Sequence, residues 1–204
     1  MIDDAINIKA LKDVVKISAG YPLRGSTDAL PTGDAHIIQL KNVGRDYGVD
    51  WKNLAQVALP SKRSPSWLKN EDVLFVARGA NNFAIAISDV PPQTVCAPHF
   101  FILRVQNQSQ LNPRFLAWQI NQRPAQNYFR RSAVGTLGMN IRRSSVENLQ
   151  IAVPTLHRQQ LINKMHDATI SEKEKLRALI ETRNKQMDAV VTDLFHTNGD
   201  QADD

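Results

Sequence analysis

Apolar residues along this chain change their spacing several times, and each change marks a new element. In "IKALKDVVKI", Ile8, Leu11, Val14, Val15 and Ile17 recur at helix-like intervals and predict a helix at the edge of a domain. "SAGYPLRGSTDALPTGD" gathers Gly, Pro, Ser and Asp and predicts an extended loop. "HIIQL" reads as a short strand, and "KNVGRDYGVDW" as a polar loop with two glycines. In "SWLKNEDVLFVARGANNFAIAI", apolar runs at 73–77 and 83–87 flank "RGANN", the layout of a β-hairpin. "TVCAPHFFILRV" supplies further strand.

Two prolines then place helices. Asn112 stands as an N-cap before Pro113 at the first helical position, and Phe115, Leu116, Trp118 and Ile120 give that helix a face to bury. Pro124 opens a second short helix through Tyr128 and Phe129. Ser144 and Glu147 have the spacing of a capping box, followed by the strand "LQIAVP". No internal repeat is evident. The fold class is α+β: a compact domain of short, mostly antiparallel strands and small helices.

From Thr155 the period changes again. Ile162, His166, Thr169, Lys173, Leu176, Ile180, Arg183, Met187, Val190 and Leu194 are spaced 4-3-4-3, polar in the first half and apolar in the second. A spacing of 3.5 sustained over three heptads needs a second helix to cover it, and the chain has no other long helix. About forty residues at about 1.5 Å each make a rod of about 60 Å, longer than a small domain is wide. The alternative is a helix that folds back on its own domain. The expected organisation is a domain over 1–154, a long helix over 155–196, and a disordered acidic tail, "TNGDQADD", over 197–204.

Composition narrows the class. A hydrophobic content of 42% supports a genuine core. Residues 1–155 hold 18 Lys and Arg against 11 Asp and Glu, a balance of +7. Residues 156–204 hold 7 against 9, a balance of −2. The basic excess therefore belongs to the domain, where it fits an anionic partner or simple solubility. No run approaches the roughly 20 apolar residues that span a bilayer, so no membrane partner is expected. "MIDDAINIKALKDVV" lacks the apolar block of a signal peptide. Cys96 stands alone, which excludes an internal disulfide and Cys-based zinc sites and points to a reducing cytoplasm.

Three stretches together resemble the target-recognition half of a type I restriction-modification specificity (S) subunit. They are "LKDVVKISAGYPLR", "WLKNEDVLFVARGANNFAIAI" and "SAVGTLGMNIRRSSVENLQIAVPTLHRQQLI". The residues that carry the resemblance are Asp72-Val73-Leu74, Arg78-Gly79, Ile141, Pro154, Leu156 and Gln159. Glu71, Thr155 and Arg158 depart from the family pattern at a glycine, a second proline and a frequent acid; the first two bear on turn geometry and not on the fold. The likeness spans most of residues 8–165.

Family members carry two recognition domains joined by two long helices, so this chain resembles a half-length subunit. The resemblance implies that the long helix packs as an antiparallel coiled coil on the same helix of a second copy. Ile162, Leu176, Ile180, Met187, Val190 and Leu194 would form that interface. It also implies double-stranded DNA as ligand, a methyltransferase (M) subunit as partner, and a restriction (R) subunit reached through it. Candidate DNA contacts are the polar and basic loop residues Arg24, Ser26, Lys41, Arg45, Tyr47, Lys62, Arg63, Arg78, Asn81, Asn82, Arg130, Arg131, Arg142 and Arg143. The two asparagines of "ARGANNF" are the preferred base readers, although Asn also favours turns for backbone reasons.

Catalytic readings find less support. "NPRF" has the outline of the Asn-Pro-Pro-Phe motif of adenine methyltransferases, but the second proline is missing and no glycine-rich loop follows a strand. His36, His99, His157, His166 and His196 lack metal-binding spacing. The expectation is a non-catalytic subunit with neither metal nor cofactor. A helical adaptor without DNA affinity, or an enzyme with an unrecognised site, are the rival readings.

Overall fold

Side chains alternating across a central sheet organise the globular part of the molecule. The computed structural model describes residues 6–22, 33–59, 65–133 and 139–197. In chain order the elements are β1 (Asn7–Ala10), a 3-10 turn (Leu11–Asp13), β2 (Val15–Ala19), β3 (Ala35–Ile38), a second 3-10 turn (Leu40–Asn42), β4 (Val43–Gly44) and β5 (Gly48–Val49). They continue with β6 (Ala55–Val57), β7 (Val73–Val76), β8 (Arg78–Gly79), β9 (Ala84–Ala86), β10 (Thr94–Cys96) and β11 (Phe100–Val105). Helices α1 (Pro113–Ile120) and α2 (Arg123–Ser132), strand β12 (Met139–Asn140), helix α3 (Arg143–Glu147), strand β13 (Gln150–Val153) and the long helix α4 (Leu156–Thr197) complete it.

The central sheet runs β2-β11-β7-β9, antiparallel throughout. One face, with Val15, Ile17, Val73, Phe75 and Leu103, packs with Phe115, Leu116 and Ile120 of α1 and Phe129 of α2. The rings of Phe75 and Phe129 meet with centroids 4.8 Å apart. The opposite face, with Leu74, Val76, Phe100 and Ile102, packs with the sheet β10-β3-β6. Strand β7 is buried on both faces, which is why "VLFV" is a continuous apolar run instead of an alternating one. The mixed α+β class, antiparallel pairing and long C-terminal helix agree with the sequence reading; β10 and β3 run parallel.

Three local expectations are corrected. The segment 8–17 is strand, turn and strand, not a helix. Ile8 pairs with Ala152 and Ile17 with Leu103, so cross-strand hydrogen bonds override the helical spacing. Ile8 is 62% exposed, whereas a buried helical face would have hidden it. The polar loop after "HIIQL" contains the β4–β5 hairpin. Ser144 does not cap α3, because the helix already begins at Arg143 and Glu147 is held by the Arg143 Nε at 2.7 Å. The reading of Asn112 is met: its side chain accepts from the backbone N–H groups of Arg114 and Phe115.

A charged row crosses the end of the central sheet. Arg104 lies opposite Lys16 on one side, while its Nε and Nη2 each donate to the Asp72 carboxylate at 2.6 Å on the other. Asp72 is buried, and the backbone N–H of Lys69 also donates to it. The carboxylate therefore has partners on both oxygens, as burial demands. Those hydrogen bonds hold the proton on the Arg104 guanidinium more firmly than usual.

Buried amides fix the start of α4. Gln159 is fully buried; its Nε2 donates to the Gln110 and Pro154 carbonyls at 2.8 Å, and its Oε1 accepts from the Asn112 N–H at 2.8 Å. Asn163 Nδ2 donates to the same Asn112 side chain at 3.1 Å. Ile162 is partly buried against the domain core. The chain divides into two units, Met1–Asn163 and Lys164–Asp204. In the second, every described side chain over 171–195 is exposed. The tail from 198 lies outside the described residues.

Two measurements check this account. Substituting Gln159→Leu strands one buried N–H and two buried carbonyls, and should lower unfolding stability by about 2–4 kcal/mol, read as a fall in urea midpoint at unchanged slope. Burial pushes the Cys96 thiol up to about 12. The folded state thus holds the proton more tightly, so this group's contribution to stability is complete below the ordinary value of 9.0 and declines as pH rises from there toward 12. At pH 8 a disulfide-exchange reagent should label Cys96 only as fast as the protein opens, and denaturant should release full labelling.

Candidate nucleic-acid interface

Short backbone pairings gather several of the candidate residues around one corner of the domain. Strand β8 pairs with β12, setting Arg78 opposite Asn140 and Gly79 opposite Met139. The His99 carbonyl accepts from the N–H groups of Ala77 and Arg78 at 2.9 and 3.2 Å, and Ile141 N–H donates to Ala77 O. Arg142 follows two residues after Asn140, at the N-cap of α3. A Cβ built on Gly79 would lie 3.9 Å from Leu40 Cδ1, which brings the Leu40–Asn42 turn, and Lys41 with it, to the same corner. Arg78, Asn140, Arg142 and Lys41 are all exposed.

A tight hairpin extends this corner. Gly44 pairs with Gly48 across a turn of Arg45, Asp46 and Tyr47. Gly48 has φ +78, the left-handed conformation that such a turn needs and that glycine adopts without strain. A side chain at Gly44 would collide with the Tyr47 ring, so the missing Cβ lets that ring lie against the strand while 66% exposed. Arg45 Nη2 donates to the Asn121 carbonyl at 2.9 Å. The Asn121 amide in turn accepts from Ala84 N–H at 2.9 Å and donates to Ala84 O at 2.7 Å, tying the end of α1 to β9.

The two asparagines of "RGANN" differ sharply. Asn81 is exposed. Asn82 is 4% exposed and donates its amide to the Val76 carbonyl at 2.9 Å, inside the hairpin. In this position the amide holds the turn's shape, and of the two asparagines Asn81 is the one at the surface. Arg130 and Arg131 are exposed in the last turn of α2, where cations also favour the helix dipole, and Arg130 donates to Asn127 Oδ1. Tyr128 Oη donates to the Ser145 carbonyl at 3.0 Å and so links α2 to α3. Arg143 is exposed but engaged with Glu147. Arg24, Ser26, Lys62 and Arg63 lie outside the described residues.

This corner offers planar guanidinium and amide groups on short strands and turns, the chemistry that reads base edges, beside cations suited to phosphates. Asn140 and Asn121 are not singled out by the sequence pattern; the first becomes visible only through the β8–β12 pairing. Among the described residues no cluster of three or more His, Cys, Asp or Glu is placed to hold a metal ion. Among them, too, no helix is long and apolar enough to cross a membrane.

The layered domain followed by one long helix is the fold of type I restriction-modification S subunits, the family whose motifs the sequence resembles. The S subunit of the type I restriction-modification system from M. genitalium matches with a TM-score of 0.60 at 16% identity, over 97% of this chain and 47% of that one. The HsdS subunit from Thermoanaerobacter tengcongensis matches at 0.55 and 15%, over 85% of this chain and 39% of that one. A chain from a type I R-M system, solved to explain complex assembly and conformational transition, matches at 0.54 and 15%, over 93% and 43%. The present chain spans less than half the length of each. No protein-family model matches the sequence, and no curated protein matches it.

Asn121 and Arg45 separate structural from surface roles. Asn121→Ala should cost about 1–3 kcal/mol, because two backbone groups of Ala84 lose their partner. Arg45→Ala should stay within about 0.5 kcal/mol of the parent, since its bond is exposed. Equilibrium denaturation of the two variants checks both.

Proposed function

We propose that this protein is a DNA-sequence specificity subunit of a type I restriction-modification system, without catalytic activity of its own. The observation that carries the reading is the S-subunit fold along 97% of the chain. The exposed cations and amides around Arg78, Asn140, Arg142, Lys41 and Arg45 would engage DNA, with arginine on guanine edges and asparagine on adenine edges. DNA binding and modification of this kind belong to the cytoplasm.

In this reading the domain is one reader of a split site and α4 is the spacer. Leu176, Ile180, Met187, Val190 and Leu194 are between 52% and 63% exposed, and Leu179 and Val191 widen the strip. Such a surface favours a covering helix, supplied by a second copy in antiparallel register. Two identical readers related by a two-fold axis recognise a symmetric site. A helix of 42 residues measures about 63 Å, equivalent to about 18 base pairs at about 3.4 Å each as an upper bound. A methyltransferase subunit would bind the assembled pair and carry the catalytic chemistry, with a restriction subunit recruited through it.

The test is co-expression with the cognate methyltransferase, isolation of the complex, and mapping of methylated bases. A stable complex that methylates a split palindrome is the expected result. Arg78→Ala should weaken specific binding roughly tenfold to a hundredfold for each half-site, the worth of one bidentate contact in each reader, while leaving the complex intact. Leu176→Glu with Ile180→Glu should yield monomers. A non-palindromic methylated site would overturn the homodimer, and absence of any complex would overturn the function. A helical adaptor, the rival that the exposed strip also suits, would self-associate without DNA affinity.

A further inference from the structure

A second cationic feature lies at the other end of the central sheet. The Arg78 N–H bonds to His99, five residues before Arg104 along β11, so the two ends are about 17 Å apart at about 3.4 Å per residue. There, Lys16, Ser18, Ile102 and Arg104 form the floor of a cleft of about 270 Å³, and Pro65, Ser66, Trp67 and Lys69 form its wall.

The cleft is built, not incidental. Leu68 is buried in the second core and its N–H donates to the Thr94 carbonyl at 2.9 Å. Arg104 Nη2 donates to the Trp67 carbonyl at 3.0 Å, and Lys69 N–H to Asp72 at 2.8 Å. The wall is thus fastened at Trp67, Leu68 and Lys69. Among the described residues no carboxylate lines the cleft; Asp72 lies behind it, spent on Arg104. Neither Lys16 nor Lys69 has a carboxylate partner among the described residues. Lys16 stands directly opposite Arg104 in the β2–β11 ladder; the Arg104 charge is met by Asp72, so Lys16 and Lys69 supply the cleft's uncompensated positive charge.

We propose that this cleft binds one nucleotide unit, with its phosphate between Lys16 and Lys69, its polar edges on Ser18 and Ser66, and its base against the Trp67 ring. The Arg104 fork is already occupied by Asp72, leaving lysines as point charges, which suit phosphate oxygens better than the paired geometry of a carboxylate. The Trp67 ring, 37% exposed, is the stacking platform that an acidic peptide would not require. The cleft is of a size for one nucleotide unit. The source is either a free nucleotide or an unpaired nucleotide of a nucleic acid strand. The inference extends the DNA-binding reading but does not use its reading corner.

The experiment follows tryptophan quenching in the full chain on titration with deoxythymidine monophosphate, a five-residue oligothymidylate and hexaglutamate. Trp67→Phe identifies the responding ring among the three tryptophans. Quenching by the oligonucleotide alone assigns the site to an unpaired strand, and quenching by the mononucleotide as well assigns it to free nucleotide. Lys16→Ala with Lys69→Ala should weaken either at least tenfold and reduce the salt slope for the oligonucleotide by about 0.7, the worth of one phosphate. The urea midpoint of the lysine variant should match the parent's, because both side chains are exposed, and this separates lost binding from lost folding. Binding that survives the lysine changes, equal quenching by hexaglutamate, or no quenching by any probe would overturn the cleft. The methylation experiment above would stand or fall separately.

Discussion

One buried amide decides where the long helix begins. Gln159 has two donors and one acceptor in use, and the Gln110, Pro154 and Asn112 backbones present the matching two acceptors and one donor. A carboxylate there would bring a buried charge, and an aliphatic side chain would leave polar backbone atoms dry. Only the amide fits. Asn112 extends the effect, because its side chain caps α1 while receiving Asn163 from α4. The N-terminus of α1 and the first two turns of α4 are therefore one network, and α1 packs on the central sheet. The phase of the helix at Asn163 is set by the same contacts that close the domain.

The central sheet distributes polar chemistry to its two ends and keeps its middle apolar. At one end, β8 is held by the His99 carbonyl and paired with β12, so Arg78 is displayed on backbone that cannot drift far. At the other, the Arg104–Asp72 pair satisfies a buried carboxylate and anchors the 65–69 segment. A half-buried pair of this kind adds little net stability compared with an apolar substitute. Its value is positional: it fixes which backbone lies beside which strand.

Much of the fold was legible because local chemistry and tertiary context agreed. Asn112-Pro113 caps a helix in any surrounding, and "VLFV" can hardly be other than a buried strand. The 8–17 segment misleads because helix-like spacing of Ile8, Leu11 and Val15 is produced equally well by two strands with a turn between them. Partners far along the chain, Ala152 and Leu103, decide the matter, and no local pattern contains them. The same cause divides the candidate site. Basic residues on loops could be named from the sequence, but Asn140 acquires meaning only by pairing with Arg78. The Lys16–Lys69–Trp67 cleft draws on segments some fifty residues apart, joined by sheet register and by the hydrogen bonds of Arg104 and Asp72 to the 67–69 backbone. Asn82 shows the converse: a residue chosen for its amide spends that amide indoors.

The polar first half of the 4-3-4-3 seam now has a physical reason. Ile162 is covered by the domain's own core, and Gln159 and Asn163 are engaged there, so these turns need no external partner. His166, Thr169 and Lys173 are exposed and polar, which discourages pairing along that stretch. The apolar strip then runs from Leu176 to Leu194, about 27 Å of helix. In the antiparallel pairing proposed, two such strips overlap best when centred near residue 185. The two Lys164 positions then stand about 63 Å apart, since about 21 residues of about 1.5 Å lie on each side of the centre. A strip restricted to the distal half maximises the span between the two readers for a given helix length. A seam apolar from Ile162 onward would also allow a fully overlapped pair, with the readers drawn some 20 Å closer by the same arithmetic. In that proposed pairing, polar residues in the proximal turns would select one spacing from several that a uniform stripe would permit.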